Sequence, residues 1–526
     1  MRSIKIFKLL ILVIFLLSIT FPYIWADALG GQDHIFSGFL INPKDGYSYL
    51  AKMYQGYEGN WKYSFPYSLD GGHGAYLFLF YLFLGHFSRA ARLELIIVYH
   101  IVRILSAGIL FFILWTFYER VVPEKKYATL AFILSLFGSG LGWMGSLVGY
   151  HTSDLWIAEA YPFLSSFSNS HFPLTLGLII WLVTPFDPVC DRGCQIPFKK
   201  WITIAVLSSL IAIISPFGSI LVLVINAGGI LWEFVEQARN NHSAIEIRKI
   251  AGVILKLPYF KKLLLISAFS FPILVYYWWV SKVDPIVAEW STQNITPSPP
   301  GWDFVLSFSP ALLCAIPGCI RVLQEGRREM RILLVWILCG LVLAYFPYGL
   351  QRRFMVGYFL PVAGLAGLGL AELSRHIPAK AWISAVIILL LSLPSNLLIL
   401  MTSNYAGSRH DENVYLTTAE NAGLRWLREE VPEQRVILAS PQTGLMIPAL
   451  TGHRVLYGHP FETVQAEYWE NIVTDFFRGS LRDNLLSQVD YVFYGPREKK
   501  IGRCIEKYQL PIVYANDEVI IYQTDR

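Results

Sequence analysis

Long apolar runs constrain this chain more than any other feature of its sequence. A helix needs about 20 apolar residues to cross the hydrocarbon core of a bilayer, and runs of that kind recur from the N-terminus to about residue 401. Charged residues make up only 15% of the chain, whereas soluble globular proteins average about 25%. The sequence therefore predicts a polytopic α-helical membrane protein.

The apolar runs predict about eleven membrane-spanning helices. Their ranges are 6–24, 93–117, 127–149, 171–186, 201–215, 217–236, 263–281, 302–320, 331–348, 354–374 and 380–401. Every second connection is basic, which is typical of cytoplasmic loops. The basic residues are Arg2, Lys5, Lys8, Lys125, Lys126, Lys199, Lys200, Arg239, Arg248, Lys249, Lys256, Lys261, Lys262, Arg321, Arg327, Arg328 and Arg331. We therefore expect a cytoplasmic N-terminus and, with an odd number of helices, an external C-terminus.

The first apolar segment also resembles a secretory signal peptide. It has a basic start, and the sequence Ala26-Asp27-Ala28 resembles a cleavage site. We expect the segment to be retained, because its apolar stretch is long for a signal peptide and because the alternation of basic loops includes it.

Two connections on the expected outer side are acidic or mixed in charge. The first, at about 22–92, is far longer than a turn and has helical potential from Asp45 to Tyr57. Another, at about 150–170, contains Asp154 and Glu159 but no Lys or Arg.

The composition changes after about residue 402. We predict a transmembrane domain, 1–402, and an extracytoplasmic α/β domain, 403–526. Thr417 and Glu420 resemble a capping box that opens a helix reaching about Glu430. Strands are predicted at 435–440, 454–458, 491–495, 511–514 and 519–523, with an amphipathic helix at 463–478. This alternation favours a small α/β domain, and no glycine fingerprint for a dinucleotide follows the first strand.

Asp45 is the leading candidate for a catalytic residue. It lies past the first span in a run from Asn42 to Tyr49 that includes two aromatic residues. A carboxylate in a dry cleft at the membrane surface can act as a general base if it reaches the hydroxyl that it deprotonates. The alternative is an ordinary helix cap, because Asn42 and Asp45 are both good capping residues.

Arg352 and Arg353 are candidates for binding a phosphate group. They lie on the expected outer side, against the charge trend that sets the topology, at the start of a predicted span. Guanidinium forks and the N–H groups of a helix N-terminus both suit phosphate. The alternatives are snorkelling and general binding of anionic headgroups.

Arg103 is a third candidate, because it falls inside the second predicted span with His100 three residues earlier on the same face. A charge there costs about 2.5–3.5 kcal/mol, so such residues usually face a polar cavity and find a partner. That partner is either a phosphate or a carboxylate such as Asp45, and a purely structural ion pair is the alternative.

Other polar residues are weaker candidates. Asp154 and Glu159 suit the positioning of an acceptor or a divalent cation, but two acids five apart are no metal motif and solvated loop acids are the simpler interpretation. His171 lies at the start of a span, where an interfacial role is the alternative. Asp70 and His73 flank a glycine-rich turn, and a plain turn is favoured.

Cysteine usage is sparse and predicts neither a disulfide framework nor a metal centre. Cys190 and Cys194 share a predicted cytoplasmic loop, but no second pair accompanies them. No metal site is predicted, the cofactor is undefined, and a divalent cation is left open.

Together these features resemble the GT-C superfamily of integral membrane glycosyltransferases, which includes protein mannosyltransferases, oligosaccharyltransferase and aminoarabinose transferases. The resemblance covers the spans, their order, the long first loop with Asp45 and the α/β tail. It is greatest to uncharacterised bacterial membrane proteins that share three patterns. These are Asp45-Gly46-Tyr47-Ser48-Tyr49, Asn169-Ser170-His171-Phe172-Pro173 and Gln351-Arg352-Arg353-Phe354.

The resemblance implies a sugar donor on a polyprenyl phosphate or diphosphate and transfer at the outer face of a membrane of the cell envelope. Asp45 would then deprotonate the acceptor hydroxyl, while Arg352 and Arg353, with Arg103, would stabilise the departing lipid phosphate. A metal, which some relatives need, would have to use Asp45 with Asp154 or Glu159. The expected partners are the lipid-linked donor and membrane lipids, with no nucleic acid and an undefined oligomeric state.

Two other functions are kept as alternatives. One is a transporter or flippase of a lipid-linked sugar, for which repeats or helices broken near the midplane are expected. The residues from Ile214 to Gly218 form such a break but fit a short outer turn better. The other is a non-catalytic envelope assembly protein whose tail binds a partner.

Overall fold

The computed structural model describes residues 2–185, 197–239, 252, 258–480, 483–502 and 504–524. In chain order its helices are α1 (Arg2–Gly30), α2 (Pro43–Tyr57), α3 (Leu79–Ala91), α4 (Leu95–Val121), α5 (Lys125–Phe137), α6 (Gly142–Leu147), α7 (Pro162–Ser168), α8 (His171–Val183), α9 (Phe198–Ile214), α10 (Pro216–Arg239), α11 (Pro258–Val283), α12 (Pro285–Gln293), α13 (Gly301–Phe308), α14 (Ala311–Glu325), α15 (Arg328–Ala344), α16 (Phe359–His376), α17 (Pro378–Ser392), α18 (Pro394–Ser408), α19 (Thr418–Glu430), α20 (Pro441–Thr451), α21 (Ala466–Arg478) and α22 (Pro496–Ile501). Short 3-10 turns lie at Ser153–Leu155, Ala158–Ala160, Gln351–Met355, Asp483–Gln488 and Cys504–Lys507.

Seven segments of the described chain are long and apolar enough to cross a bilayer. They are Lys5–Gly30, Leu95–Val121, Lys125–Leu147, Pro216–Arg239, Tyr259–Val283, Gln351–His376 and Pro378–Ser408. The pair α13 and α14, bent by 87°, adds an eighth if it forms one broken span. The multi-pass membrane class is confirmed, but the predicted number of about eleven is not. Three predicted spans correspond to α8, α9 and α15, which have at most 17 residues each.

The described chain divides into two compact units. Unit one comprises Met1–Thr20, Val102–Val275 and Thr296–Met401, and α14 packs on α16 at its centre. A Cβ atom added to Gly318 would lie 2.0 Å from the Leu365 carbonyl oxygen, and one added to Gly369 would lie 2.0 Å from that of Cys314. Small residues allow membrane helices to pack backbone against backbone, so these glycines set the spacing of the central pair.

Short breaks interrupt several apolar segments of unit one, and two of them bear on the predicted spans. Only Ser215 separates α9 from α10, as expected of the short turn that the sequence predicted there. The second break, between α13 and α14 at Ser309 and Pro310, was not predicted.

Unit two comprises Phe21–Ile101, Tyr276–Ile295 and Thr402–Arg526, so it joins the long first loop to the C-terminal region. Strand β1 (His34–Phe36) pairs antiparallel with β2 (Tyr415–Thr417). The predicted helix in the first loop is confirmed as α2, which packs on both α3 and α20. The predicted domain boundary near residue 402 stays a prediction.

A five-stranded sheet forms the core of the C-terminal α/β region. Its strands are β3 (Val436–Leu438), β4 (Arg454–Val455), β5 (Tyr491–Tyr494), β6 (Ile512–Ala515) and β7 (Ile520–Gln523), in the order β4-β3-β5-β7-β6. β3 runs parallel to β4 and β5, whereas β7 is antiparallel to β5 and β6. All five strands, the capping box at Thr417 and Glu420 and helix α21 confirm predictions, but α20 was not predicted.

Candidate functional site

Asp45 lies in the first turn of α2, in unit two. The helix begins at Pro43, which suits a first turn because proline lacks an N–H and has a fixed φ. The N-cap position belongs to Asn42, whose side chain makes no capping hydrogen bond. The Asp45 carboxylate is near the positive end of the helix dipole and its side chain is 48% exposed. It is therefore an accessible anion rather than the N-cap residue.

His459 is the nearest ionisable partner of Asp45. Its Nε2 atom lies 3.9 Å from Asp45 Oδ1, and the residue is only 2% exposed. Its Nδ1 atom accepts a hydrogen bond from the Phe461 backbone N–H at 3.1 Å. A neutral imidazole that accepts at Nδ1 carries its proton on Nε2, so the N–H of His459 is on the nitrogen nearer to Asp45.

Lys52 and Glu462 form a buried ion pair. Glu462 follows His459 by three residues in the sequence. The Lys52 ammonium donates to Glu462 Oε1, and Ser48 Oγ donates to the same oxygen at 2.5 Å. The Tyr63 hydroxyl donates to Glu462 Oε2 at 2.8 Å. Both carboxylate oxygens are thus hydrogen-bonded, as a buried charge requires.

The electrostatics of this cluster keep Glu462 ionised and His459 neutral. Burial opposes ionisation of Glu462, but the Lys52 ammonium and the hydrogen bonds from Lys52 and Ser48 to Oε1 hold its pKa at about 2. Burial lowers the pKa of His459, against the opposite influence of Glu462 and Asp45. The Phe78 ring, whose centroid is 4.4 Å from Lys52 Nζ, adds a cation–π contact.

Sequence reasoning missed Lys52, His459 and Glu462 as members of one cluster. Asp45, Ser48 and Lys52 are spaced i, i+3 and i+7, which puts them on one face of α2. That periodic polar face was the available signal. For the segment from Gly458 to Thr463 the sequence predicts only the end of a strand at 458 and the start of a helix at 463.

Arg352 and Arg353 lie together in unit one, in the 3-10 turn Gln351–Met355 that precedes α16. Arg352 Nε and Arg353 Nη1 are each 3.9 Å from Glu159 Oε1. The Arg352 guanidinium also stacks on Trp156, 4.8 Å from its ring centroid. Arg353 is the more accessible of the two, with 41% of its side chain exposed against 19%.

Backbone hydrogen bonds fix the turn that carries the arginines. The Arg352 N–H donates to the Thr296 carbonyl at 3.0 Å, and the Thr296 N–H donates to Gly349 at 2.7 Å. The Gly357 N–H donates to the Glu159 carbonyl at 2.8 Å. The structure thus brings three predicted site residues together, two cations and the acid between them.

Arg103 has a different environment from the one that the sequence predicted. It is fully buried, and its Nη1 atom donates to the carbonyl oxygens of Ile19, Ser166 and Phe167 at 2.8, 3.0 and 3.3 Å. A guanidinium bonded in this way ties α1 to α7 and α4. The geometry supports a structural role, and its predicted phosphate contact gains no support.

Asp154 is also structural. It is fully buried and accepts hydrogen bonds from the backbone N–H groups of Gly140 and Gly142 and from Thr152 Oγ1 at 2.7 Å. Burial raises its pKa, and these donors oppose the rise. The expectation of a solvated loop acid is therefore wrong, and Asp154 instead organises its own loop.

The remaining predicted residues have local environments of their own. His171 is the first residue of α8. Asp70 accepts from the Gly72 N–H at 2.9 Å, which is the favoured plain turn. His73 lines a cavity of about 430 Å³ with Lys62, Tyr76 and Trp279 among its other lining residues.

No group of three or more His, Cys, Asp or Glu residues suited to a metal ion is present among the described residues. Cys190 and Cys194 lie outside the described residues. The structure therefore gives no support to a particular metal site.

No protein-family model matches the chain, and no curated protein matches it. Several solved structures, in contrast, match the chain. The archaeal oligosaccharyltransferase AglB from Archaeoglobus fulgidus, in complex with an inhibitory peptide and a dolichol-phosphate, is 12% identical with a TM-score of 0.54, covering 93% of this chain and 69% of that one. ArnT from Cupriavidus metallidurans bound to undecaprenyl phosphate is 10% identical with a TM-score of 0.51, covering 99% and 98%. ArnT from the same organism in the apo state is 11% identical with a TM-score of 0.50, and the coverage of the two chains is again 99% and 98%.

These likenesses show the fold. The chain shares its fold with AglB and ArnT, and the predicted fold class, a polytopic helical membrane protein with a C-terminal α/β region, is confirmed. At 10–12% identity the likeness carries no activity or substrate by itself, because one fold can hold many different sites.

Proposed function

We propose that the protein is a membrane glycosyltransferase that moves a sugar from a polyprenyl-phosphate donor to an acceptor hydroxyl. Its fold is similar to that of AglB, solved with a dolichol-phosphate, and of ArnT, solved with undecaprenyl phosphate. The observation that carries the proposal is the half-exposed Asp45 carboxylate in the first turn of α2, on a chain with that fold.

In the proposed reaction Asp45 is the general base. Its carboxylate takes the proton of the acceptor hydroxyl while the acceptor oxygen forms a bond to the anomeric carbon. The bond between that carbon and the phosphate oxygen breaks, and its electron pair leaves with the polyprenyl phosphate. A base of this kind contributes about 10²–10⁴-fold to a rate.

Arg352 and Arg353 are the proposed ligands of the phosphate. Negative charge grows on the leaving phosphate, and fixed cations there stabilise the transition state more than the ground state. Glu159, at 3.9 Å from one nitrogen of each, is beyond hydrogen-bond distance. It can thus orient the pair by charge, and Arg353 keeps an exposed face for a ligand.

Arg103 and Asp154 are left out of the proposed site because Arg103 Nη1 and the Asp154 carboxylate make hydrogen bonds within the buried structure. We also propose a cytoplasmic N-terminus and transfer on the outer face. The basic residues in alternate connections, such as Lys125 and Lys126 after α4, support this orientation.

A panel of undecaprenyl-phosphate-linked hexoses and pentoses tests the proposal. The purified protein is reconstituted in liposomes with each donor and an envelope extract of the producing cell, and released undecaprenyl phosphate is measured. We expect turnover of at least one donor and its loss in Asp45→Asn. The matched control is Glu58→Gln, an exposed acid at the other end of α2. Equal turnover by wild type and Asp45→Asn would refute the assignment.

A further inference from the structure

His459 is a buried imidazole with one ring nitrogen directed towards the candidate base. Its Nδ1 atom is engaged by the Phe461 N–H. Its Nε2 atom is buried and has no hydrogen-bond partner within the part of the chain that the structure describes. The nearest carboxylate oxygen with which it pairs is Asp45 Oδ1, at 3.9 Å. A buried donor without a partner costs about 1–3 kcal/mol, so such an arrangement needs an explanation.

The charged groups around His459 come from two elements of unit two. Lys44, Asp45 and Lys52 belong to α2, and Glu462 lies three residues along its own loop. The Tyr67 ring, with its centroid 5.8 Å away, packs on the imidazole. Lys52 neutralises Glu462 directly, which leaves the Asp45 carboxylate as the accessible anion facing the ring.

We propose that His459 is a positioning residue for Asp45, donating its Nε2–H to the Asp45 carboxylate when substrate closes the site. This inference rests on the proposed function, in which Asp45 is the base. Catalytic hydrogen bonds are often long in ligand-free structures and tighten in the complex, and a movement of about 1 Å turns 3.9 Å into a hydrogen bond.

The proposed hydrogen bond has a chemical purpose. A donor to the charged form of a carboxyl group favours that form, and the charged form is the one that a general base needs. The hydrogen bond also selects the carboxylate orientation in which the other oxygen faces the acceptor. Lys52 and Ser48 of α2 both donate to Glu462 and so hold the loop of His459 against this helix, while Tyr63 donates to the second carboxylate oxygen.

Three substitutions separate this role from simple packing. His459→Gln carries an amide N–H that reaches about as far as Nε2. His459→Asn keeps an acceptor for the Phe461 N–H but is too short to reach Asp45, and His459→Phe keeps the ring shape without a donor. A matched control is His453→Phe, since His453 is equally buried but its Nε2 contacts the Leu427 carbonyl and its Nδ1 accepts from Arg435.

The measurement is kcat, KM and the pH dependence of kcat for the donor that the wild type consumes in the undecaprenyl-phosphate-sugar panel. We expect His459→Asn and His459→Phe to lower kcat by about 10- to 100-fold, with little change in KM. The acidic limb of their pH profile of kcat should move to higher pH, because the proposed donor to the carboxylate is then missing. His459→Gln should stay within a few-fold of wild type, and His453→Phe should leave the pH profile unmoved.

The results distinguish this inference from the proposed function. If Asp45→Asn is inactive while His459→Asn and His459→Phe both keep the wild-type kcat and acidic limb, the positioning role is wrong and the general base stands. If Gln, Asn and Phe at position 459 lower kcat equally with no shift of the limb, His459 acts only in packing. If Asp45→Asn is fully active, the proposed function itself fails. Thermal unfolding of each variant identifies any that do not fold. Because His459→Asn and His459→Phe both lack a donor that reaches Asp45, the test survives the loss of one of them.

Discussion

Lys52 and Glu462, which are 410 positions apart in the chain, form a buried ion pair. Lys52 lies on α2 in the long first loop, and Glu462 follows β4 in the C-terminal region. The pair therefore links two parts of unit two that are remote in sequence, and it does so beside His459 and Asp45.

Removing the cation of this pair should destabilise unit two. Lys52→Met leaves a buried carboxylate without its partner, which costs about 3–5 kcal/mol, so the unfolding temperature in detergent should fall clearly. The double variant Lys52→Met/Glu462→Gln should recover part of the loss, because no charge is then left unpaired. The control is Lys500→Met, which removes an exposed pair with Glu412 worth less than about 1 kcal/mol. Equal effects of the two single variants would contradict the account.

The ion pair also predicts a pH dependence of stability. The pKa of Glu462 is about 2 in the folded protein against an ordinary value of 4.5, so its contribution is complete above about pH 4.5 and is lost as the pH falls towards about 2. That contribution is on the order of 3 kcal/mol. Unfolding temperatures of wild type and Glu462→Gln should differ at neutral pH and converge in acid. A constant difference across this range would show that Glu462 is not ionised in the folded state.

The sequence predicted several parts of this site because they depend on local patterns. Asp45 was recognised from its position after an apolar span, and the arginine pair from its departure from the charge trend. Lys52, His459 and Glu462 depend on contacts between the first loop and the tail, and no local pattern specifies those contacts. The segment around His459 satisfied the rules for a strand end, which concealed its second role.

The arginine pair should control the affinity for a lipid phosphate. A charge-assisted hydrogen bond contributes about 1.5–3 kcal/mol, so Arg352→Gln and Arg353→Gln should each weaken binding of undecaprenyl phosphate about 10- to 100-fold. Native mass spectrometry of the detergent-purified protein measures this affinity for undecaprenyl phosphate. The matched control is Arg428→Gln, an arginine of similar exposure that is paired with Glu429 on α19. Unchanged affinity in both site variants would remove the pair from the site.

Substitution of Arg103 should lower the stability of the protein and leave its affinity for the lipid phosphate nearly unchanged. Arg103→Met leaves carbonyl oxygens of Ile19, Ser166 and Phe167 without this donor, so it should lower the unfolding temperature strongly, with a cost of about 3 kcal/mol or more. The folded fraction should bind undecaprenyl phosphate within about twofold of wild type. Lost binding at an unchanged unfolding temperature would instead support the phosphate contact predicted from the sequence.

Arg103 and Asp154 show why residue type alone misassigned some candidates. A charge inside an apolar segment signals that it must be satisfied, but the sequence does not say whether a ligand or the backbone does so. For Arg103 the partners are carbonyl oxygens, and for Asp154 they are the N–H groups of its own loop and a neighbouring threonine. The predicted number of about eleven spans is not confirmed, because apolar runs such as α8 form helices of only 13 residues in the described part of the chain.

A structure of the protein with undecaprenyl phosphate bound is the most direct test of the proposed lipid-phosphate-dependent transfer. The account predicts phosphate oxygens within hydrogen-bond distance of the Arg352 and Arg353 guanidinium groups, with Asp45 facing the position where the anomeric carbon of a donor would lie. A phosphate bound away from both arginines, or one with Asp45 turned to a different surface, would contradict it.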